Sequence, residues 1–212
     1  MNHRRSALVR FLSLAAFGVT SFVAALLPAA RAAGASDPQQ MIRTAVDQVL
    51  ATAYDTVSTQ PLHERLRPIL ERYFDFTGAT RRAIGPGWRN FTPEQQQRAT
   101  ELLTTLIIRS YSDKFEPGAR PTITYASTIT LDKKRRELLS SVTYAGKRYS
   151  VTYRVELLSE DNWRVYDLII EGVSMVGNYR AQLDPLYKKG GADEVIRSLE
   201  KSLQQPVIAE ST

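Results

Sequence analysis

Asp167 and Glu171 are the residues best placed to do chemistry. They lie four apart in a segment that reads as a strand, so a period of two puts both carboxylates on one face, close to Tyr166 at the strand end. A carboxylate base beside a tyrosine is the equipment of some small isomerases. The plainer alternative is that a carboxylate at a strand end caps a helix or pairs with an arginine, Arg164 or Arg180 here. Little else in the chain supports catalysis. There is no cysteine, and the only histidines are His3 and His63. Once His3 is removed with a leader, neither a Cys/His zinc site nor a Ser-His-Asp triad can be assembled, and His63, between Leu62 and Glu64, reads as solvent-facing. Function must then be argued from where the chain keeps apolar surface.

The first 32 residues read as a secretory signal peptide. Arg4, Arg5 and Arg10 precede an apolar stretch from Phe11 to Leu27, and Ala30-Arg31-Ala32 fits the small-x-small cleavage rule. The alternative is an uncleaved anchor, because the apolar stretch approaches the ~18 residues that span a bilayer. Cleavage leaves one domain over residues 33–204 and a loose tail over 205–212. Loss of Arg4, Arg5, Arg10 and Arg31 takes the net charge from +6 to +2, too little for a nucleic-acid footprint. A cysteine-free exported chain suits a bacterial periplasm.

The elements that must position any site fall into two halves. Asp37-Pro38 supplies a cap and a first-turn proline, and Ile42, Ala45, Val46, Val49, Leu50 and Ala53 form one apolar helical stripe. Leu62, Leu66, Ile69, Leu70 and Tyr73 repeat it, Asp75 caps a short helix ending near Gly85-Pro86-Gly87, and Thr92-Pro93-Glu94-Gln95 forms a capping box for a long helix through Tyr111. After Pro117-Gly118 the apolar period changes from about 3.6 to 2. Four strands follow, with a charged turn at Lys133-Lys134-Arg135-Arg136 and a tight hairpin at Ala145-Gly146. Two helices separated by Gly190-Gly191 close the chain, the first starting near Asn178 and complicated by Pro185.

This order predicts an α+β fold: a four-stranded antiparallel meander cupped by N-terminal and C-terminal helices. Tyr111, Tyr125, Tyr144, Tyr153 and Tyr166 are expected on the concave side, where they build either ordinary core or the wall of a cavity with apolar bodies and wet hydroxyls.

Trp163-Arg164-Val165-Tyr166-Asp167 through Glu171-Gly172-Val173-Ser174-Met175 resembles the signature of the toluene-tolerance, or MlaC-like, family of periplasmic lipid carriers. Ile84-Gly85, Trp88-Arg89, Thr92-Pro93-Glu94-Gln95, Arg109-Ser110-Tyr111 and the closing Gly190-Gly191 with Val195-Ile196 and Leu199 are similar to it in the same order. The resemblance implies a monomeric periplasmic carrier with no catalytic activity and no cofactor, holding a phospholipid as cargo. It implies exchange between an outer-membrane lipoprotein complex and an inner-membrane ABC transporter with a ring-shaped receptor, maintaining outer-membrane lipid asymmetry. On that reading the cavity lies between sheet and helices. Val142, Tyr144, Val151, Tyr153, Val155, Tyr166, Leu168 and Ile170 line it from the sheet, Val173 and Met175 from the bend, and Leu106, Ile107 and Tyr111 from the long helix. The rivals are a hopanoid-associated branch of the same family, an isomerase, and an adaptor with a filled core. The Lys133 to Arg136 cluster is expected to be either a solvated turn or a contact for headgroups or an acidic partner.

Overall fold

The computed structural model describes residues 37–116 and 118–204; the signal-peptide and tail assignments lie outside them. Helix α1 (Pro38–Ala53) starts as its sequence requires, with the Asp37 carboxylate accepting from the Gln39 amide at 3.0 Å and proline in the first turn. Helix α2 (Leu62–Tyr73) and helix α3 (Phe76–Ile84) follow, the latter capped by Asp75, which accepts from the Gly78 amide at 2.9 Å. A 3-10 turn (Gly85–Asn90) leads into α4 (Pro93–Ser112). Both halves of its capping box form: Gln95 N–H donates to Thr92 Oγ1 at 3.2 Å, and Thr92 N–H to Gln95 Oε1 at 2.9 Å.

The sheet has five strands rather than four. Strands β1 (Thr122–Thr130), β2 (Arg135–Tyr144), β3 (Lys147–Leu157), β4 (Trp163–Ile170) and β5 (Val173–Ser174) pair antiparallel in chain order. The expected hairpin at Ala145-Gly146 is present, with both residues at positive φ. The fifth strand escaped the sequence reading because it is two residues long. Glu171 (φ 49°) and Gly172 (φ 81°) make a second such turn, which pairs Val173 with Ile170 where only a bend was expected.

Helix α5 begins at Met175, directly after β5 and earlier than expected, and runs to Gln204. It carries Pro185 within it and breaks at Gly190 and Gly191, the separation the two glycines predict. The other edge contact of β4 is a parallel bridge from Phe74 to Val165, in which Asp75 N–H donates to the Val165 carbonyl at 2.7 Å. This bridge ties the α2–α3 junction to the sheet.

The core lies where α3, α4, the 3-10 turn and α5 meet the Trp163 end of the sheet, around Ile84, Trp88, Leu103, Ile108, Val155, Val165 and Val195. The 3-10 turn enters it through an aromatic stack, Trp88 on Phe91 at 5.7 Å and Phe91 on Tyr187 at 6.0 Å between ring centres. Gly87 sits against that stack so closely that a Cβ would stand 2.6 Å from two Tyr187 ring carbons. Gly87→Ala should therefore cost about 1–3 kcal/mol by overpacking, read as a lower urea midpoint with unchanged slope; an unchanged midpoint would show that the Tyr187 ring can move aside freely.

Candidate functional site

The concave face of the sheet is buried more deeply at one end than at the other. Strand register sorts its side chains into transverse rows. Nearest the β4 start, Trp163 is buried and pairs with Leu157. In the next row Val155 and Val165 are buried, and in the third Leu138 and Tyr153 are buried beside a partly buried Leu168. The fourth row, Tyr125, Ser140, Val151 and Ile170, has only Ser140 buried, its hydroxyl donating to the Val151 carbonyl at 3.0 Å. In the fifth, Ile123, Val142 and Tyr149 are all partly buried.

The helices repeat this gradient. On α4, Leu103, Ile107 and Ile108 are buried while Leu106 and Tyr111 are only partly covered. On α1, the apolar stripe expected to pack inward has Ile42 alone fully buried, with Met41, Ala45, Val46, Val49 and Leu50 partly open. The apolar stripe of α1 is thus incompletely covered. Sheet, α1, the second half of α4 and the start of α5 thus share an apolar face, here termed the trough, that is fully buried at the Trp163 end and only partly buried at the Ile170 end.

The trough is set with phenols that burial keeps neutral. Desolvation pushes Tyr111 and Tyr125 up to about 12, and raises Tyr153 and Tyr179 in the same direction. The trough thus offers apolar surface with a few neutral hydroxyls.

Asp167 is consumed in structure. It is 2% exposed; Oδ2 accepts from the Ser174 hydroxyl at 2.6 Å and from Arg154 at 3.3 Å, and Oδ1 accepts from the Val176 amide at 2.9 Å. Ser174 in turn accepts from the Gly177 amide at 2.9 Å. The carboxylate therefore caps the first turn of α5, with Arg154 as its ion-pair partner rather than Arg164 or Arg180. Glu171 is exposed on the hairpin turn and accepts from the Ser150 amide, so the two carboxylates serve separate structural ends.

The thirteen residues expected to line a cavity divide by position. Val142, Tyr144, Val151, Leu168, Ile170, Leu106 and Tyr111 are partly buried around the open end, Tyr144 at its rim with its hydroxyl held by the Glu116 amide at 2.6 Å. Ile107, Tyr153, Val155 and Met175 are buried in the core behind it. Two point elsewhere. Tyr166 is the extra residue of a bulge in β4; it is 7% exposed, lies outside the main core and packs under the Arg82 guanidinium, 4.3 Å from its ring centre. A bulge breaks the period of two, which is why alternation misplaces it. Val173 is 62% exposed, because the β4–β5 turn carries it to the surface.

Sequence reasoning omitted Met41 and Tyr179. Met41 flanks the apolar stripe read on α1, and Tyr179 lies in a stretch read only for its glycine and proline signals. His63 is partly buried beside Glu64, and Lys133 and Lys134 are exposed at the β1–β2 turn. A separate groove of about 630 Å³ lies among α2, α3 and α4; it is floored by Phe74, Phe76 and Trp88 and rimmed by polar side chains, including the Arg67–Glu71 ion pair at 2.9 Å. None of the thirteen residues reaches it.

The family model for the MlaC protein matches residues 39–201, the whole of this arrangement from α1 to near the end of α5. The chain belongs to the MlaC family. Its fold is also similar to the phospholipid-binding protein from Ralstonia solanacearum, whose structure contains a phospholipid, with a TM-score of 0.72 and 28% identity over 80% of this chain and 100% of that one. A comparison with curated proteins finds no match. For this MlaC-family chain no helix among the described residues is long and apolar enough to cross a membrane. Family and likeness together point to a binding or carrier protein.

Two outcomes are expected from the site's chemistry. Asp167→Asn should destabilise by about 1–3 kcal/mol, because an amide nitrogen would confront the Ser174 or Val176 donors, and circular dichroism during urea unfolding checks it. A raised phenol pKa means that Tyr111 and Tyr125 contribute stability fully below their ordinary 10.0 and lose it as pH rises towards about 12. The double variant Tyr111→Phe, Tyr125→Phe should accordingly show a shallower fall in melting temperature across that alkaline window than the parent protein.

Proposed function

We propose that this chain is a periplasmic phospholipid carrier that shelters acyl chains in the trough between sheet and helices. It collects and delivers its cargo at an outer-membrane lipoprotein complex and at an inner-membrane ABC transporter with a ring-shaped receptor. The observation that carries this reading is the graded concave face, buried around Val155 and Val165 and only partly buried around Val151, Val142 and Ile170. Leaving apolar rows half exposed costs stability at about 25 cal/mol per Å², and each methylene of a bound chain removed from water returns ~0.8 kcal/mol. Membership of the MlaC family and the phospholipid in the Ralstonia solanacearum protein support the same cargo class.

On this reading Val142, Val151, Leu168, Ile170, Leu106 and Tyr111 touch the acyl chains, with Tyr144 at the rim. Tyr153, Val155, Ile107 and Met175 form the floor. A lining that binds through burial and neutral hydroxyls discriminates little among headgroups.

Transfer of a fluorescent-chain phospholipid between vesicles, catalysed by the purified protein, tests the proposal. Val151→Glu should abolish transfer while circular dichroism shows an intact fold, because a carboxylate at the open end can reach water. Val155→Glu should prevent folding, since the same charge on the 0%-exposed floor is unpaired. Val173→Glu should change neither. A Val151→Glu protein that fails to fold would mean that the trough is solid core, and one that transfers normally would mean that cargo lies elsewhere.

A further inference from the structure

Arg43 lies at the slit between α1 and the edge strand β1. Its guanidinium stacks 4.1 Å from the ring centre of Tyr125, the β1 member of the open fourth row, so one side chain spans from the helical wall to the sheet wall. The residue is exposed, and among the described residues no carboxylate stands within ion-pair distance of it. Asp47, one helical turn on, faces Tyr125 as well without closing on Arg43.

A guanidinium laid on an aromatic face keeps its N–H edges free, and those edges match two oxygens of a phosphodiester. The ring holds the fork in one place, so little rotamer freedom is lost when an anion arrives. Taking the trough as the acyl-chain site, Arg43 stands beside the row of Tyr125, Val151 and Ile170, within reach of the polar end of a lipid whose chains enter along that row.

We propose that Arg43, seated on Tyr125, is the site that binds the cargo's phosphodiester, so that this carrier prefers phospholipids to uncharged lipids of identical chains. This rests on the carrier reading and adds a polar anchor to it. Because the site is wet, the preference is modest, roughly fivefold. It is also indifferent to the alcohol esterified on the far side of the phosphate, because the fork reads only the two oxygens.

The test is competitive loading of the full mature protein from mixed vesicles containing a diacyl phosphatidylglycerol and a diacylglycerol with the same chains, with the bound lipids counted by mass spectrometry. The phospholipid-to-diacylglycerol ratio of wild type should fall roughly fivefold in Arg43→Gln and be partly restored in Arg43→Lys. Addition of inorganic phosphate at millimolar concentration should leave the wild-type ratio unchanged, since the chains hold the phosphodiester in place; a collapse of the ratio would assign Arg43 to free phosphate instead. Equal ratios in wild type and Arg43→Gln would overturn the assignment and leave the carrier reading intact. Failure of wild type to retain either lipid would overturn the carrier reading, and the assignment with it.

Discussion

A sheet whose apolar face is longer than the helical layer that covers it is the constraint on which the rest of the structure depends. Five antiparallel strands present rows of valine, leucine, isoleucine and tyrosine, and the buried helical residues gather over the Trp163 end. Ordinary packing would close the remainder, because interiors approach crystal density and exposed apolar rows cost free energy. Here α1 packs chiefly on α2 and leaves all but Ile42 of its stripe incompletely covered. Free energy withheld from folding in this way is available to a ligand.

Polar interactions fix how the helices meet the sheet. Asp167 sits where the sheet hands over to the last helix, and its bonds to Ser174, Val176 and Arg154 set the direction in which α5 leaves β4. Two residues before it, the Phe74–Val165 bridge fixes the α2–α3 junction to the same strand. With β4 tied to helices at both Val165 and Asp167, the strand is held by directional bonds as well as by apolar packing. A carboxylate so placed does the work of a splice between elements, which accounts for its burial without invoking proton transfer.

Most of the scaffold was legible because its signals are local. Capping residues at Asp37, Asp75 and Thr92, the hairpin at Ala145-Gly146 and the helix break at Gly190-Gly191 each arise from the chemistry of one to four neighbouring residues. The features that were not legible depend on long-range register. The bulge that turns Tyr166 away from the core arises only when β3 and β4 pair. Val173 is placed in the lining by the family resemblance, yet a two-residue turn at Glu171-Gly172 lifts it into solvent. The sequence also cannot separate a filled core from a half-open one: Val151 and Val155 occupy equivalent positions of one alternating strand, and only the helices above them make one partly exposed and the other fully buried.

The most direct measurement of the central claim is native mass spectrometry of the mature protein recovered from a bacterial periplasm, followed by solvent extraction and identification of the released molecules. The account predicts about one diacyl phospholipid per folded chain, drawn from the major species of the host membrane. A folded protein that carries no lipid, or one that carries a polyprenoid in its place, would contradict it.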